Sequence, residues 1–268
     1  MNRLLLDHPQ VLQVLFHPRR EYEFFTRTPG VFPVSVPVDS TVSLTGRLYP
    51  ATATSPVILF FHGNGEIASD YDDLSQLYRQ MGITLLVIDY RGYGMSGGSP
   101  TGTHLLTDAP VVFAALGNIF ARYQLIPSQC YVMGRSLGSV PALEVAIHAG
   151  HAIAGLIIES GFASILNLLN YLGLTFNEIE YITDEFGNAE KITRINVPLL
   201  IIHGQEDQLI PLSEGEELYR LAQVTDKRLV TISNAGHNDL IVIGMTQYFG
   251  AIKTFVESVT PPNLTKKV

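Results

Sequence analysis

The chain alternates short, almost wholly apolar runs with longer stretches in which apolar residues recur every three or four positions. Apolar runs without polar alternation are typical of strands buried on both faces. They predict strands over residues 57–61, 84–90, 129–133, 155–159, 198–203 and 228–232. Helical patterns lie between them, over residues 66–81, 103–123, 136–149 and 213–223, with a closing helix from 237 onward. This alternation predicts a mostly parallel sheet flanked by helices.

Two segments depart from this alternation of strand and helix patterns. Near the start, VFPVSVPVD and SLTGRLYP predict edge strands of an opening hairpin, because proline cannot donate to a ladder. They bring the expected sheet to about eight strands. Residues 163–194 are longer than one crossover helix requires, and their apolar cluster runs from Leu166 to Phe176. We expect one domain over residues 1–268 in which 163–194 form a small cap; a long crossover helix with a surface loop is the alternative.

Composition limits the classes of partner and compartment. Twenty-five acidic and seventeen basic residues give a net charge of −8, and no basic run suits a nucleic acid. The single cysteine, Cys130, forms no internal disulfide. No apolar run reaches the length of a membrane span, and the N-terminal run is too short for a signal peptide, so a cytoplasmic location is expected. The segment up to Phe25 is expected to pack on the domain, with peripheral membrane contact as the less favoured alternative.

The first candidate catalytic motif is GRSLG, which matches G-x-S-x-G with Ser136 at its centre. It follows a predicted strand and precedes a predicted helix, which is the context of a sharp turn that exposes a nucleophilic hydroxyl. Glycines on both sides leave room for such a turn. The amide of Leu137, at the start of the helix, is a candidate donor to an oxyanion that develops at the site.

A serine nucleophile needs a base, and the base needs an orienting acid. His237 follows the last predicted strand in SNAGHND, and a histidine there can reach a serine in the middle of the sheet. Asp207, in HGQEDQLIP, is the predicted acid, with Glu159 as the competing candidate. The H-G-N-G turn after the first buried strand is expected to supply a second oxyanion donor, the backbone N–H of Asn64.

Five segments in order, FHGNGE, VIDYRGYGMSGG, GRSLGS, IIHGQEDQLIP and NAGHND, resemble a serine hydrolase of the α/β-hydrolase superfamily. The closest resemblance is to the branch that includes the α/β-hydrolase-domain depalmitoylase-like enzymes, and it covers about residues 36–256. It implies an α/β-hydrolase fold and a Ser136–Asp207–His237 triad. It also implies that a small-molecule acyl ester or thioester is hydrolysed through an acyl-enzyme without a cofactor or metal. The leucines and tyrosines of the expected cap favour an apolar acyl group.

Other readings of the motifs stay open. A peptidase, amidase or acyltransferase would use the same triad, and a hydrolase fold that serves only as a binding module usually lacks a triad member. Residues 92–97 satisfy G-x-G-x-x-G, but Gly98, Ser99 and Pro100 separate them from the next helix, so a dinucleotide site is not expected. No P-loop, H-E-x-x-H or C-x-x-C motif occurs. Neither the oligomeric state nor the natural substrate follows from the sequence.

Overall fold

The computed structural model describes residues 5–174 and 184–259, which form an eight-stranded sheet with helices on both faces. The strands are β1 (Phe32–Pro37), β2 (Ser43–Tyr49), β3 (Val57–Phe61), β4 (Thr84–Ile88), β5 (Cys130–Arg135), β6 (Gly155–Glu159), β7 (Leu199–Gly204) and β8 (Lys227–Ile232). The helices are α1 (Pro9–Leu15), α2 (Ser75–Gln80), α3 (Gly102–Ala114), α4 (Leu116–Arg122), α5 (Ser139–Ala149), α6 (Ile165–Tyr171), α7 (Asn188–Arg194), α8 (Leu212–Leu221) and α9 (Leu240–Ser258).

The sheet has the order β1-β2-β4-β3-β5-β6-β7-β8 and is mostly parallel, as predicted. All neighbours from β4 to β8 are parallel, whereas β2 runs antiparallel to both β1 and β4. The prediction that β2 is an edge strand is wrong. Pro50 lies just beyond its last residue, so no proline interrupts the ladder with β4.

Alternate residues of the buried strands face two separate hydrophobic layers. Leu59 of β3 packs in the layer covered by α3 and α5, and Phe60 packs in the layer covered by α2 and α9. The N-terminal α1 joins the first layer through Val11 and Leu15, both almost fully buried. This segment therefore packs on the sheet domain, as predicted.

The helix predicted over residues 66–81 is wrong in its first half. A 3₁₀ turn, Ala68–Tyr71, comes first, and the α-helix begins only at Ser75. Asp72, which lies between them, accepts hydrogen bonds from residues of β2. Asp72 lies 2.9 Å from the guanidinium of the buried Arg47 and 2.8 Å from the hydroxyl of Tyr49. Such long-range contacts override local helix propensity.

The helix predicted over residues 103–123 is divided into α3 and α4 at Ala115, with a bend of 46°. Among the described residues, no single helix has the length and hydropathy needed to cross a membrane, and this bent pair passes the same test by length and composition.

The region of the predicted cap is described only in part. Residues 175–183, including Phe176 of the apolar cluster, lie outside the described residues. On either side of them, α6 and α7 are both short and both contribute to the core, through Leu169 and Ile192. A cap that forms one unit over residues 163–194 remains a prediction.

Candidate active site

Ser136 lies where β5 passes into the 3₁₀ turn that precedes α5, and its φ is +53°. A Cβ on Gly134 would lie 2.1 Å from the carbonyl oxygen of Gly138, and a Cβ on Gly138 would lie 2.0 Å from that of Phe61. Both distances are far below van der Waals contact. The two glycines are therefore required because the turn closes on itself and on the end of β3.

Ser136, His237 and Asp207 are brought together at the carboxyl edge of the sheet, although a hundred residues separate the serine from the histidine. The Nε2 atom of His237 lies 3.0 Å from the Oγ atom of Ser136. The Nδ1 atom of His237 lies 2.7 Å from the Oδ2 atom of Asp207. All three residues are buried. The predicted nucleophile, base and acid thus form one hydrogen-bonded chain.

Charge determines the direction of these hydrogen bonds. Burial opposes ionisation of Asp207, but the hydrogen bond and charge of His237 and the amide of Ile210 outweigh it, so the pKa of Asp207 is lowered. An ionised carboxylate only accepts hydrogen bonds, so Nδ1–H of His237 donates to it. The Nε2 atom is then free to accept the proton of the Ser136 hydroxyl.

Backbone amides hold the carboxylate in place. The Oδ1 atom of Asp207 accepts from the amides of Leu209 at 3.0 Å and Ile210 at 2.8 Å. His203, the next-to-last residue of β7, lies behind this loop, with its Nε2 atom 2.8 Å from the carbonyl oxygen of Ile210.

Glu159, the competing acid, has other partners. Its Oε1 atom accepts from Nε of Arg135 at 3.0 Å, and its Oε2 atom accepts from the hydroxyl of Tyr248 at 2.7 Å. Burial raises the pKa of Glu159 in spite of the nearby guanidinium. The geometry therefore favours Asp207 as the partner of His237.

The two predicted oxyanion donors, Asn64 and Leu137, line the same cavity as Ser136. The side chain of Asn64 is fixed from two sides, because its Oδ1 atom accepts from the hydroxyl of Tyr93 at 2.8 Å and from the amide of His17 at 2.9 Å. Its Nδ2 atom lies 2.9 Å from the Nδ1 atom of His17. These contacts set the position of the turn that follows β3.

A cavity of about 230 Å³ opens beside Ser136. Besides Leu137, its apolar lining among the described residues comes from three parts of the chain: Val14 and Leu15 of α1, Leu168 of α6 with the adjoining Leu172, and Leu209 and Ile210 of the Asp207 loop. Residues of 163–194 were expected here, whereas α1 and His17 were not. The only available signal was the apolar spacing of Val11, Val14 and Leu15, which indicates a buried helix face and not a site.

Within the part of the chain that the structure describes, no group of three or more histidine, cysteine, aspartate or glutamate side chains is placed to hold a metal ion.

Comparison with known proteins gives the family. Residues 52–178 and 186–241 match the family model described as serine aminopeptidase, S33. Human alpha/beta hydrolase domain-containing protein 17B is 34% identical over 203 residues, which are 74% of this chain. The aligned region spans 65% of the length of that relative.

Solved structures share the fold at low sequence identity. An esterase of Pyrococcus furiosus superposes with a TM-score of 0.73 at 17% identity, over 91% of this chain and 97% of the esterase. The acylaminoacyl peptidase of Pyrococcus horikoshii superposes with a TM-score of 0.69 at 16% identity, over 89% of this chain and 43% of the peptidase. These similarities confirm the predicted α/β-hydrolase fold. The chain therefore belongs to the serine aminopeptidase S33 family of the α/β-hydrolase superfamily, in the α/β-hydrolase-domain branch that its motifs predicted.

Proposed function

We propose that this protein is a serine hydrolase that cleaves carboxylic esters or thioesters through an acyl-enzyme on Ser136. The observation that carries the proposal is the hydrogen-bonded chain from Ser136 to His237 to Asp207, with distances of 3.0 and 2.7 Å. Those distances are within the range in which a base can take the proton of a nucleophile.

In the proposed first step, Oγ of Ser136 attacks the acyl carbonyl carbon and Nε2 of His237 takes the hydroxyl proton. The carboxylate of Asp207 holds the ring in the Nδ1–H tautomer and stabilises the imidazolium. The amides of Leu137 and Asn64 donate to the oxyanion. When the intermediate collapses, the bond to the leaving group breaks and His237 returns the proton to the departing oxygen or sulfur.

In the second step, water takes the place of the leaving group. His237 removes a proton from the water as it attacks the acyl carbonyl, and the ester bond to Ser136 then breaks. The proton returns to Oγ, and the free carboxylic acid leaves. The reaction consumes one water and needs no redox partner.

The apolar cavity supports an acyl group as the part of the substrate that is held beside Ser136. Its lining includes leucine, isoleucine and valine side chains and, among the described residues, no carboxylate. An aminopeptidase must bind a cationic α-amino group, for which a carboxylate is the natural partner. Three carboxylates do line a neighbouring cavity, but they are already paired: Glu66 and Glu159 with Arg135, and Asp70 with Arg19.

The test is hydrolysis of p-nitrophenyl butyrate by the parent protein and by Ser136→Ala. Removal of the nucleophile is expected to lower turnover by roughly 10⁴- to 10⁶-fold. Ser139→Ala is the matched control, because this serine begins α5 directly after the turn and its buried Oγ has no hydrogen-bond partner among the described residues. Turnover by Ser136→Ala within tenfold of the parent would refute the proposal.

A butyryl thioester, a butyryl anilide and an aminoacyl p-nitroanilide would then separate the chemistries. We expect a butyryl thioester to be cleaved and an aminoacyl p-nitroanilide to be cleaved far more slowly. Faster cleavage of the aminoacyl p-nitroanilide would make the protein an aminopeptidase that uses the same three residues.

A further inference from the structure

Arg135 is the variable residue of the G-R-S-L-G motif, and its side chain is almost completely buried beside the site. The turn at Ser136 needs glycines at positions 134 and 138, but nothing in the geometry of the turn requires arginine at 135. A buried guanidinium loses its hydration and is retained only where fixed partners replace the water.

Each nitrogen of the guanidinium has such a partner. Nε donates to Glu159 at the end of β6, at 3.0 Å, and Nη1 donates to Glu66 in the turn region after β3. Nη2 donates to the backbone carbonyl oxygen of His237 at 2.8 Å and approaches Oδ1 of Asn238 at 3.3 Å. One side chain on the nucleophile strand therefore contacts the loop that carries the proposed base.

Glu66 extends the contact to the other side of the site. While its Oε1 atom pairs with Arg135, its Oε2 atom accepts the amide of Gly63 at 2.7 Å and the hydroxyl of Tyr71 at 2.7 Å. Burial opposes ionisation of Glu66, but Arg135 and these hydrogen bonds outweigh it and lower its pKa. The amide of Gly63 is next to Asn64, so the ionised carboxylate fixes the turn that would supply the second oxyanion donor.

We infer that Arg135 is a positioning residue for the proposed reaction: it holds the His237 loop and the turn at Gly63–Asn64 in register with Ser136. The inference rests on the proposed function. Stability alone does not explain the arrangement, since well-packed apolar residues usually replace a buried ion cluster at little or no cost. Proton transfer, in contrast, depends on the 3.0 Å separation of Nε2 and Oγ, and a misplacement of about 1 Å can lower a rate roughly 100-fold.

Arg135→Lys is the direct test, because lysine keeps the positive charge between Glu66 and Glu159. A single ammonium cannot occupy the positions of three guanidinium nitrogens, so the bond to the His237 carbonyl is expected to be lost. With p-nitrophenyl butyrate, we expect kcat to fall about 10- to 100-fold while KM changes less than about threefold. Arg135 also lines the cavity, but the apolar side chains proposed to hold the acyl group come from α1, α6 and the Asp207 loop.

Tyr248→Phe is the matched control for a purely structural role. It removes a 2.7 Å hydrogen bond to Glu159 at the far side of the cluster, and Tyr248 contacts neither Arg135 nor His237 through a hydrogen bond. We expect this variant to melt at a lower temperature and to keep kcat within about twofold of the parent. If Arg135→Lys shows the same pattern, with a lower melting temperature and an unchanged kcat, the inference is wrong.

A second variant keeps the test decisive if Arg135→Lys does not fold. Glu66→Gln keeps Arg135 and its hydrogen bond to the His237 carbonyl, and it removes the ion pair that links Arg135 to the turn at Gly63–Asn64. Because the side chain of Glu66 is partly exposed, the fold should tolerate the change. We expect kcat to fall about tenfold at nearly constant KM. A kcat equal to that of the parent would refute the link to the turn. An inactive parent protein, in contrast, would refute the proposed function itself.

Discussion

Replacement of Asp207 by asparagine isolates the role of the carboxylate with little change in shape. The Oδ1 atom of the new side chain can still accept the amides of Leu209 and Ile210, so the loop should keep its conformation. The amide nitrogen would take the place of Oδ2, 2.7 Å from Nδ1 of His237. It would donate to Nδ1 and thereby select the Nε2–H tautomer, which cannot accept the proton of Ser136.

The expected loss follows from that tautomer. A serine hydrolase with the wrong histidine tautomer keeps its substrate pocket and loses about 10⁴-fold in kcat, or about 5 kcal/mol of transition-state stabilisation. We expect KM for p-nitrophenyl butyrate to change little, because the acyl cavity is intact. Initial rates at pH 8, with circular dichroism to verify folding, give both values.

Glu206→Gln is the matched control, since Glu206 is the exposed carboxylate next to Asp207. It should keep kcat within about twofold of the parent. The role of Asp207 as the orienting acid would be refuted if Asp207→Asn retained a tenth or more of the parent kcat. It would also fail if Glu159→Gln removed activity while Asp207→Asn did not.

Three further predictions concern stability and substrate size. Gly138→Ala should lower the melting temperature sharply in a thermal scan, because its Cβ would lie 2.0 Å from the carbonyl oxygen of Phe61. Gly117→Ala should not, because a Cβ there would meet no other described part of the chain within 4 Å outside its own helix. The difference in free energy of unfolding between the parent and Asp207→Asn should be constant above about pH 5 and should become smaller in acid. The reason is that a carboxyl with a lowered folded pKa stabilises the fold only while ionised; a difference that widens in acid would contradict this. In a p-nitrophenyl ester series, kcat/KM should rise about fourfold per methylene from acetyl to butyryl or hexanoyl and then fall. Leu172→Phe should move the optimum to shorter acyl chains, because Leu172 lines the cavity. A parent optimum at acetyl would contradict the role of the cavity in binding the acyl group.

Buried strands and the residues at their carboxyl ends were predictable from the sequence. The bounds of β3 and β6 match the predicted runs, because a strand buried on both faces is an unbroken apolar segment that polar residues terminate. Ser136, Asp207 and His237 follow β5, β7 and β8, and the carboxyl ends of parallel strands meet at one edge of the sheet. That geometry is the reason why the G-x-S-x-G motif and the positions after the strands predicted three residues that the fold then brings together.

Contacts between distant polar groups were not predictable in the same way. The sequence after β3 predicts one helix, but Asp72 in that region pairs with Arg47. Arg47 is buried, and no local sequence pattern predicts that burial. Likewise, Arg135 occupies a position at which the G-x-S-x-G motif specifies no residue, and His17 lies outside all the motifs. Their partners are fixed only when the sheet brings separate loops to the same edge.

The most direct test of the account is covalent labelling of the folded protein with a fluorophosphonate, followed by intact mass measurement and peptide mapping. A Ser136–His237–Asp207 triad predicts a single adduct on Ser136, no adduct in Ser136→Ala, and labelling slowed by orders of magnitude in Asp207→Asn, because the reagent reacts with a serine that a correctly oriented histidine activates. Adducts on Ser139 or Ser160, which are also buried near this turn, or no adduct on the folded parent, would contradict it.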